Sequence, residues 1–367
     1  MTSDAANPVV VDPRKMGRIF VTGGAGHLGA NLVRRLLDEG HEVRALARPG
    51  DDNRGLEGLP LEIVEGDVRD LEAMRRLVRG CTHVYHVAAK VSTLSPSAGE
   101  YQELFETNVI GTRNVMQAAL ENGVERVVLS GSFSAVGYDP NDPSKPSNED
   151  MPFWPFGQVL PYARTKAQAE HEALKFVAEG LDVVIATSCA IVGPHDYIPS
   201  RLGRTFCDYV NGKLRAYVPG GFPFVAAHDI VEGHLLAMQR GRRGHKYIFA
   251  TAFQTLDDLL EHFEAAAGLK RPMLKIPSRL MAGVTGVYSG VLSRYFPNVP
   301  QRLTPGAIAI LRMGRRADTS KAERELGFRP TSIRKAVEDA YEFFTRQGMM
   351  RPASTRRAKP RAEAEGT

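Results

Sequence analysis

A chain of 367 residues, 43% hydrophobic and 24% charged, can hold one large or two moderate domains with a sizeable core. Its net charge of +5 is no nucleic-acid signature, because Arg351, Arg356, Arg357, Lys359 and Arg361 crowd into a tail of Pro, Ala, Ser and Thr. No apolar run is long enough to span a bilayer, and the first residues lack the apolar stretch of a signal peptide. Cys81, Cys189 and Cys207 are odd in number and fit neither a zinc spacing nor a disulfide framework. A reducing, cytoplasmic setting without a metal is therefore expected.

Residues 1–15 read as a disordered extension. Ile19, Phe20 and Val21 then suit a buried parallel strand, and Gly23, Gly26 and Gly29 follow at intervals of three. In the next stretch Leu28, Leu32, Val33, Leu36 and Leu37 share one helix face, opposite Arg34, Arg35, Asp38 and Glu39. Gly40 is placed to end that helix in a left-handed cap, and Glu42 to Ala47 reads as the second strand. Strand, glycine turn, helix and strand make up a dinucleotide-binding unit. One glycine permits the turn, one admits a pyrophosphate and one lets helix pack on strand. The phosphates would face the free amides and positive end of the helix dipole, at Gly26, His27, Leu28 and Gly29.

The alternation continues through Leu61–Glu65, a helix over Leu71–Val78, the strand Thr82–Val87, a long helix over Tyr101–Glu121 and the strand Arg126–Leu129. It predicts an α/β fold, a Rossmann-type doubly wound parallel sheet with helices on both faces. Ligands then bind beyond the carboxyl ends of the strands, where the loops carrying Gly23, Asp67, Ala88 and Ser130 converge.

The fifth strand brings Ser130 and Ser132 to that edge, and thirty residues on Tyr162 and Lys166 share a helix face. A phenol with an ordinary pKa of about 10 exchanges protons poorly at neutral pH. A nearby ammonium and a positive nicotinamide ring would favour the phenolate and lower that value. Tyr162 could then give a proton to a carbonyl oxygen as hydride arrives, with Ser132 holding the same oxygen. The second strand ends at Ala47 and Arg48, with Arg44 and Arg54 nearby, where an NAD enzyme would place a carboxylate. Arginine pairs well with a 2′-phosphate, so NADPH is expected over NADH.

With these pieces in order, the chain resembles the extended short-chain dehydrogenase/reductase family over roughly residues 17–347. The residues that carry the resemblance are Thr22–Gly29, Gly66–Val68, Val87–Ala89, Asn108–Thr112, Ser130–Ser132, Tyr162–Lys166 and Val192–Pro194. The pattern is nearest the hopanoid-associated sugar epimerase group, with dihydroflavonol reductase and 3β-hydroxysteroid dehydrogenase groups close behind. The resemblance implies that Gly23, Gly26 and Gly29 line the pyrophosphate, Asp67 and Val68 meet the adenine, and Ala88 and Ala89 sit beside the ribose or nicotinamide. Ser132, Tyr162 and Lys166 would be the catalytic triad, Lys166 also bonding the nicotinamide ribose, and Asn108 would join the proton relay. Three departures stand out. His27 replaces an aromatic, Gly131 interrupts the serine pair, and Ser188 with Cys189 replaces a proline-containing segment.

The expected boundaries are a dinucleotide-binding domain over 16–192, a smaller substrate lobe with returning sheet elements over 193–348, and a disordered basic tail over 349–367. Phe153–Phe156 and Phe222–Phe224 are candidate apolar walls. Leu280–Tyr295 reads as a helix that packs in the lobe or touches a membrane surface. Asp318–Phe328 shows a cap, a short helix and a terminal glycine. Gly220–Pro223 lacks the cation that nucleotide-sugar enzymes of the family place before such a segment. The favoured function is thus an NAD(P)H-dependent reductase of a ketone on a small, fairly apolar metabolite. The alternatives are a nucleotide-sugar epimerase or dehydratase that retains its NAD, and a non-catalytic cofactor-binding protein. A homodimer through helices such as Tyr101–Glu121 is a further expectation from resemblance.

Overall fold

The structure, a computed structural model, describes residues 10–12, 15–92, 98–139, 141–142, 144–153, 160–270, 273–276 and 310–351. The apolar runs of the first half become strands because both faces of one sheet are covered by apolar helix stripes. β1 (Ile19–Thr22), β2 (Val43–Ala47), β3 (Glu62–Glu65), β4 (His83–His86), β5 (Arg126–Ser132) and β6 (Val183–Ser188) all pair in parallel. A seventh strand, Lys246–Phe249, returns late in the chain to lie beside β6. The spatial order is Lys246–Phe249, β6, β5, β4, β1, β2, β3. Strand order reverses between β1 and β4, which opens a crevice at their carboxyl ends.

Helix α1 (His27–Asp38) buries Leu28, Leu32, Val33 and Leu36 against one face of the sheet. Gly40 ends it at φ +82°, with the His41 amide donating to Leu36 O at 3.0 Å. Helix α2 (Leu71–Val78) starts at Asp70, whose carboxylate accepts from the Ala73 amide. The long helix expected from Tyr101 begins earlier and is divided. α3 (Ala98–Phe105) passes into a π-helical turn (Glu106–Ile110) and then α4 (Gly111–Glu121). Strand β5 runs three residues past its expected end, because pairing with β6 continues through Ser132 opposite Ser188. Helix α5 (Pro161–Glu179) opens on a proline and closes on the left-handed Gly180.

Beyond β6 the chain builds a separate small core. Ala190–Val192, Gly221–Ala226 and Ala252–Thr255 form a three-stranded sheet. Helices α6 (Arg201–Val210), Leu256–Ala267 and Ile333–Arg346 pack with it around Phe206, Phe224, Phe263 and Phe344. The Phe206 and Phe263 rings stack at a centroid distance of 4.0 Å. Helix α7 (Ala227–Arg240) lies on the main sheet, and its Leu235 and Met238 join the core under α1. The segment Ser320–Leu326 is a short helix ended by Gly327 at φ +78°.

Residues 349–351, placed in the tail by sequence, pack against the lobe. Met350 is buried, and the Asn211 side chain bonds both Met349 O and the Arg351 amide. Leu280–Tyr295 and Trp154–Phe156 lie outside the described residues. Among the described residues no helix is long and apolar enough to cross a membrane.

Candidate active site

The three glycines of the first loop meet different constraints. Gly23 has φ +69°, and a Cβ there would stand 2.7 Å from the Ala88 amide nitrogen. At Gly29 a Cβ would fall 2.1 Å from Gly23 O, so only glycine lets α1 sit on the loop. Gly26 differs, since a Cβ would meet only Gly23 O at 3.4 Å. It caps α1 without any side chain over the first amides, and it borders the main cavity. That open cradle fits a diphosphate. Thr22 Oγ1 accepts from the Ala88 amide at 3.2 Å, which fixes the β1 and β4 ends together.

Arg48, Asp67, Val68, Ala88 and Ala89 border the same cavity. Arg48 is 41% exposed and loosely shared among Asp67 (3.5 Å), Asp51 (3.9 Å) and Glu103 (4.0 Å). Asp67 is gripped by Arg69 in a two-pronged contact. Burial raises its pKa, but the bonds from Arg69 and the charge of Arg48 outweigh that and hold it below the usual carboxylate range. The expected grouping of Arg44 and Arg54 with Arg48 does not hold. Arg44 donates to Glu62 and to the carbonyls of Leu77 and Arg79, and Arg54 is clasped by Asp52. Neither lines the cavity among its described residues.

At the β5 edge, Tyr162 and Ser132 border the same cavity and interact, and Ser132 Oγ lies 2.7 Å from Ser134 Oγ. Lys166 is buried and its Nζ donates to Ser130 O at 2.7 Å. Burial pushes the Lys166 ammonium down to about 8, against the pull of Glu170 one turn on. The lowering expected of Tyr162 counts a bound, positive nicotinamide ring as well as Lys166. Burial raises the phenol above its usual value, and the interaction with Ser132 only partly offsets it. Lys166 directs its ammonium at a backbone carbonyl.

Gly131 now has a reason. A Cβ there would meet Thr187 Oγ1 at 2.7 Å, Ile185 Cγ2 at 2.9 Å and Glu170 Oε1 at 3.1 Å. Behind it, Ser130 Oγ lies 2.7 Å from His234 Nε2, and His234 Nδ1 lies 2.8 Å from Ile230 O. A carbonyl can only accept, so Nδ1 carries the proton and Nε2 accepts from Ser130. Burial drives His234 down to about 4, which keeps it neutral.

A second polar chain joins the expected Thr22, Asn108 and Thr112 to His86 and Thr165, which sequence reasoning missed. Thr22 Oγ1 contacts His86 Nδ1 at 2.7 Å, and His86 Nε2 contacts Thr112 Oγ1 at 3.0 Å. Thr112 donates to Asn108 O at 2.6 Å, and Asn108 Nδ2 donates to Lys90 O and to Thr165 Oγ1. Thr165 in turn donates to Tyr162 O at 2.9 Å. The glycine loop, the π turn and the catalytic helix are thus one network. Asn108 acts in it by fixing Lys90 and Thr165. For His86 and Thr165 the sequence signal was a polar residue in an otherwise buried element.

The cavity measures about 1210 Å³ and runs from the glycine loop past Ser132, Tyr162 and Lys166 into the lobe. Ser188 and Cys189 line its middle. Its far wall includes Leu202, Leu214, Val218, Phe222, Leu256 and Leu260. Phe224 is fully buried in the lobe core instead. Arg201, Lys213, Arg215 and Arg315 also border it, cations that local sequence around Gly220 did not suggest.

The family model for the NAD dependent epimerase/dehydratase family matches residues 19–250. Sterol demethylase protein B of Methylococcus capsulatus is 44% identical over 331 residues, 90% of this chain and 99% of that protein. A dihydroflavonol 4-reductase-like protein of Synechocystis is 33% identical, covering 90% of this chain and 96% of its own. Among solved structures, a dTDP-glucose 4,6-dehydratase of Streptomyces venezuelae with NAD bound superposes with a TM-score of 0.72. It is 25% identical, over 91% of this chain and 99% of that one. The chain belongs to the NAD dependent epimerase/dehydratase family, the extended short-chain dehydrogenase/reductases, and is an NAD(P)-dependent oxidoreductase.

Proposed function

We propose that the protein is an NAD(P)H-dependent reductase of a ketone on a small, fairly apolar metabolite. The observation that carries this is the meeting of Ser132, Tyr162 and Lys166 on one largely apolar cavity that begins at the glycine loop, where burial holds the Tyr162 phenol above its usual pKa. A protonated phenol is the form that a carbonyl reduction consumes. Bound NAD(P)H supplies the hydride. Ser132 and Tyr162 hold the carbonyl oxygen, and Tyr162 donates the proton as negative charge develops there. Lys166 lies one helical turn from Tyr162, donates to Ser130 O, and its ammonium favours the phenolate once the proton has left. Gly23, Gly26, His27, Leu28 and Gly29 would hold the diphosphate, Asp67 and Val68 the adenosine, and Ala88 and Ala89 the nicotinamide side. Arg48 would prefer a 2′-phosphate, so NADPH is the better reductant. The names of the sterol and dihydroflavonol relatives support an apolar polycyclic carbonyl or alcohol.

A panel of carbonyl compounds, followed by loss of NADPH and NADH absorbance, tests the reading. Tyr162→Phe should keep cofactor binding and lower kcat by about 10²- to 10⁴-fold. Unchanged turnover in that variant removes the mechanism.

A second reading, epimerisation or dehydration of a nucleotide sugar with retained NAD, is favoured by Arg201, Lys213 and Arg215 at the lobe end of the cavity. NAD that survives purification, with no net cofactor consumption, would select it.

A further inference from the structure

His27 is the first residue of α1 and borders the cofactor cavity, and its ring sits between the glycine loop and the substrate lobe. Its Nδ1 lies 4.0 Å from Asp196 Oδ2, and the carbonyls of Gly193 and Pro194 also face it. Among the described residues its Nε2 is buried without a hydrogen-bond partner. Asp196 is itself buried and holds the start of α6, accepting from the Ser200 amide at 2.9 and 2.8 Å. Residue 203 must be glycine, because a Cβ would approach Asp196 Oδ2 to 2.4 Å. Two further bonds join α1 to the same segment. Asn31 Nδ2 donates to Pro194 O at 2.8 Å, and Arg34 Nη2 donates to Tyr197 Oη at 2.9 Å. α6 in turn supplies Arg201, Leu202 and Thr205 to the lobe end of the cavity.

We infer that His27 and Asp196 form a latch through which an occupied pyrophosphate site tightens helix α6 over the substrate. The inference rests on the cofactor reading above. Without cofactor, burial and the positive end of α1 disfavour an imidazolium, and His27 stays neutral below its ordinary range. Its surroundings are nonetheless acceptors, a carboxylate and two carbonyls. A diphosphate at the α1 amides reverses the local field, so the ring gains a proton and pairs with Asp196. The other charged or titratable groups around it are His195 and Arg34, with Cys207 and Asp208 on α6 and Arg346 on the helix Ile333–Arg346. His195 is held at about 4 by burial and by its cationic neighbours, so it does not compete for the proton near neutrality.

Hydrogen–deuterium exchange on the full chain, with and without NADPH, tests the latch at pH 6.5 and pH 8.5. In the wild type NADPH should slow exchange of residues 19–29, and should slow residues 201–210 about fivefold or more. The second effect should be larger at pH 6.5. In His27→Phe, which keeps the backbone amide that residue 27 offers to the diphosphate, and in Asp196→Asn, the loop should still be protected and α6 should not respond. Exchange of α4 without cofactor serves as the fold check, and a variant that loses it is replaced by His27→Tyr or Asp196→Ser. If α6 responds equally in His27→Phe, or fails to respond in the wild type while the loop is protected, the latch is overturned. No protection of residues 19–29 in the wild type sinks the cofactor reading, and the latch with it.

Discussion

Arg48 shows how a single side chain can be placed by sequence and its neighbours misplaced. Its position after β2 followed from where that strand ends, and it does border the cavity. Arg44 lies on the same strand but reaches Glu62 and the end of α2, a strut between elements. Proximity in sequence does not tell which end of a strand a long side chain serves. Among the described residues Arg48 has three acidic neighbours at 3.5 to 4.0 Å and no closer ion pair, so a 2′-phosphate could recruit it at little cost. Losing a charge-assisted bond of about 1.5–3 kcal/mol, Arg48→Ala should raise the KM for NADPH about ten- to hundredfold. The KM for NADH should barely move. Steady-state kinetics with both cofactors reads this directly, and equal changes would assign Arg48 to packing. The phenol teaches a related lesson. Sequence placed Tyr162 beside Lys166, but not the balance between charge and burial, which depends on where the ammonium points.

Among the elements, those with both a cap and an amphipathic stripe were the most legible. α2 spans the expected residues because Asp70 starts it and a buried stripe of Ala73, Met74 and Val78 sustains it. The π turn at Glu106–Ile110 was not legible. Thr107, Asn108 and Val109 are all buried, so no polar face marks the widened turn, and Asn108 is aimed by it. The glycine loop allows a sharper experiment. Gly29→Ala places a methyl group 2.1 Å from Gly23 O and should prevent α1 from docking, seen as a large loss of Tm. Gly26→Ala meets only Gly23 O at 3.4 Å, so the fold should survive within about 1 kcal/mol. The methyl group would stand in the cradle, and dinucleotide affinity measured by fluorescence titration should fall at least about tenfold. A Gly26→Ala protein that binds normally would place the diphosphate elsewhere.

Over the whole molecule, the parallel sheet and its crevice were readable from alternation alone, while the small core of the lobe was not. That core is assembled from Phe206, Phe224, Phe263 and Phe344, residues far apart in sequence with no shared period. The scaffold also has a pH signature. Burial holds His86 near 3 and His83, His195 and His234 near 4, whereas an unfolded histidine titrates near 6.5. Each folded value is depressed, so as pH falls below about 6.5 the unfolded chain takes up protons that the native state refuses. Stability should therefore be full above that point and decline toward pH 5. The fully buried His86 and His234 contribute about 1.4 kcal/mol per pH unit each. Glu170 works in the opposite direction, since burial raises its carboxyl and acid favours its folded form. The paired carboxylates Asp67 and Glu325, held low, add their loss only at more acid pH, so between pH 6.5 and 5 the histidines act against the raised carboxyls Glu170 and Glu149. Urea unfolding across that window should give a falling midpoint, and His234→Gln should flatten the slope by about one proton. A pH-independent midpoint between 6.5 and 5 would mean that these imidazoles open to water in the native state. The Ser130–His234 support behind Lys166 would then be looser than its 2.7 Å contact implies.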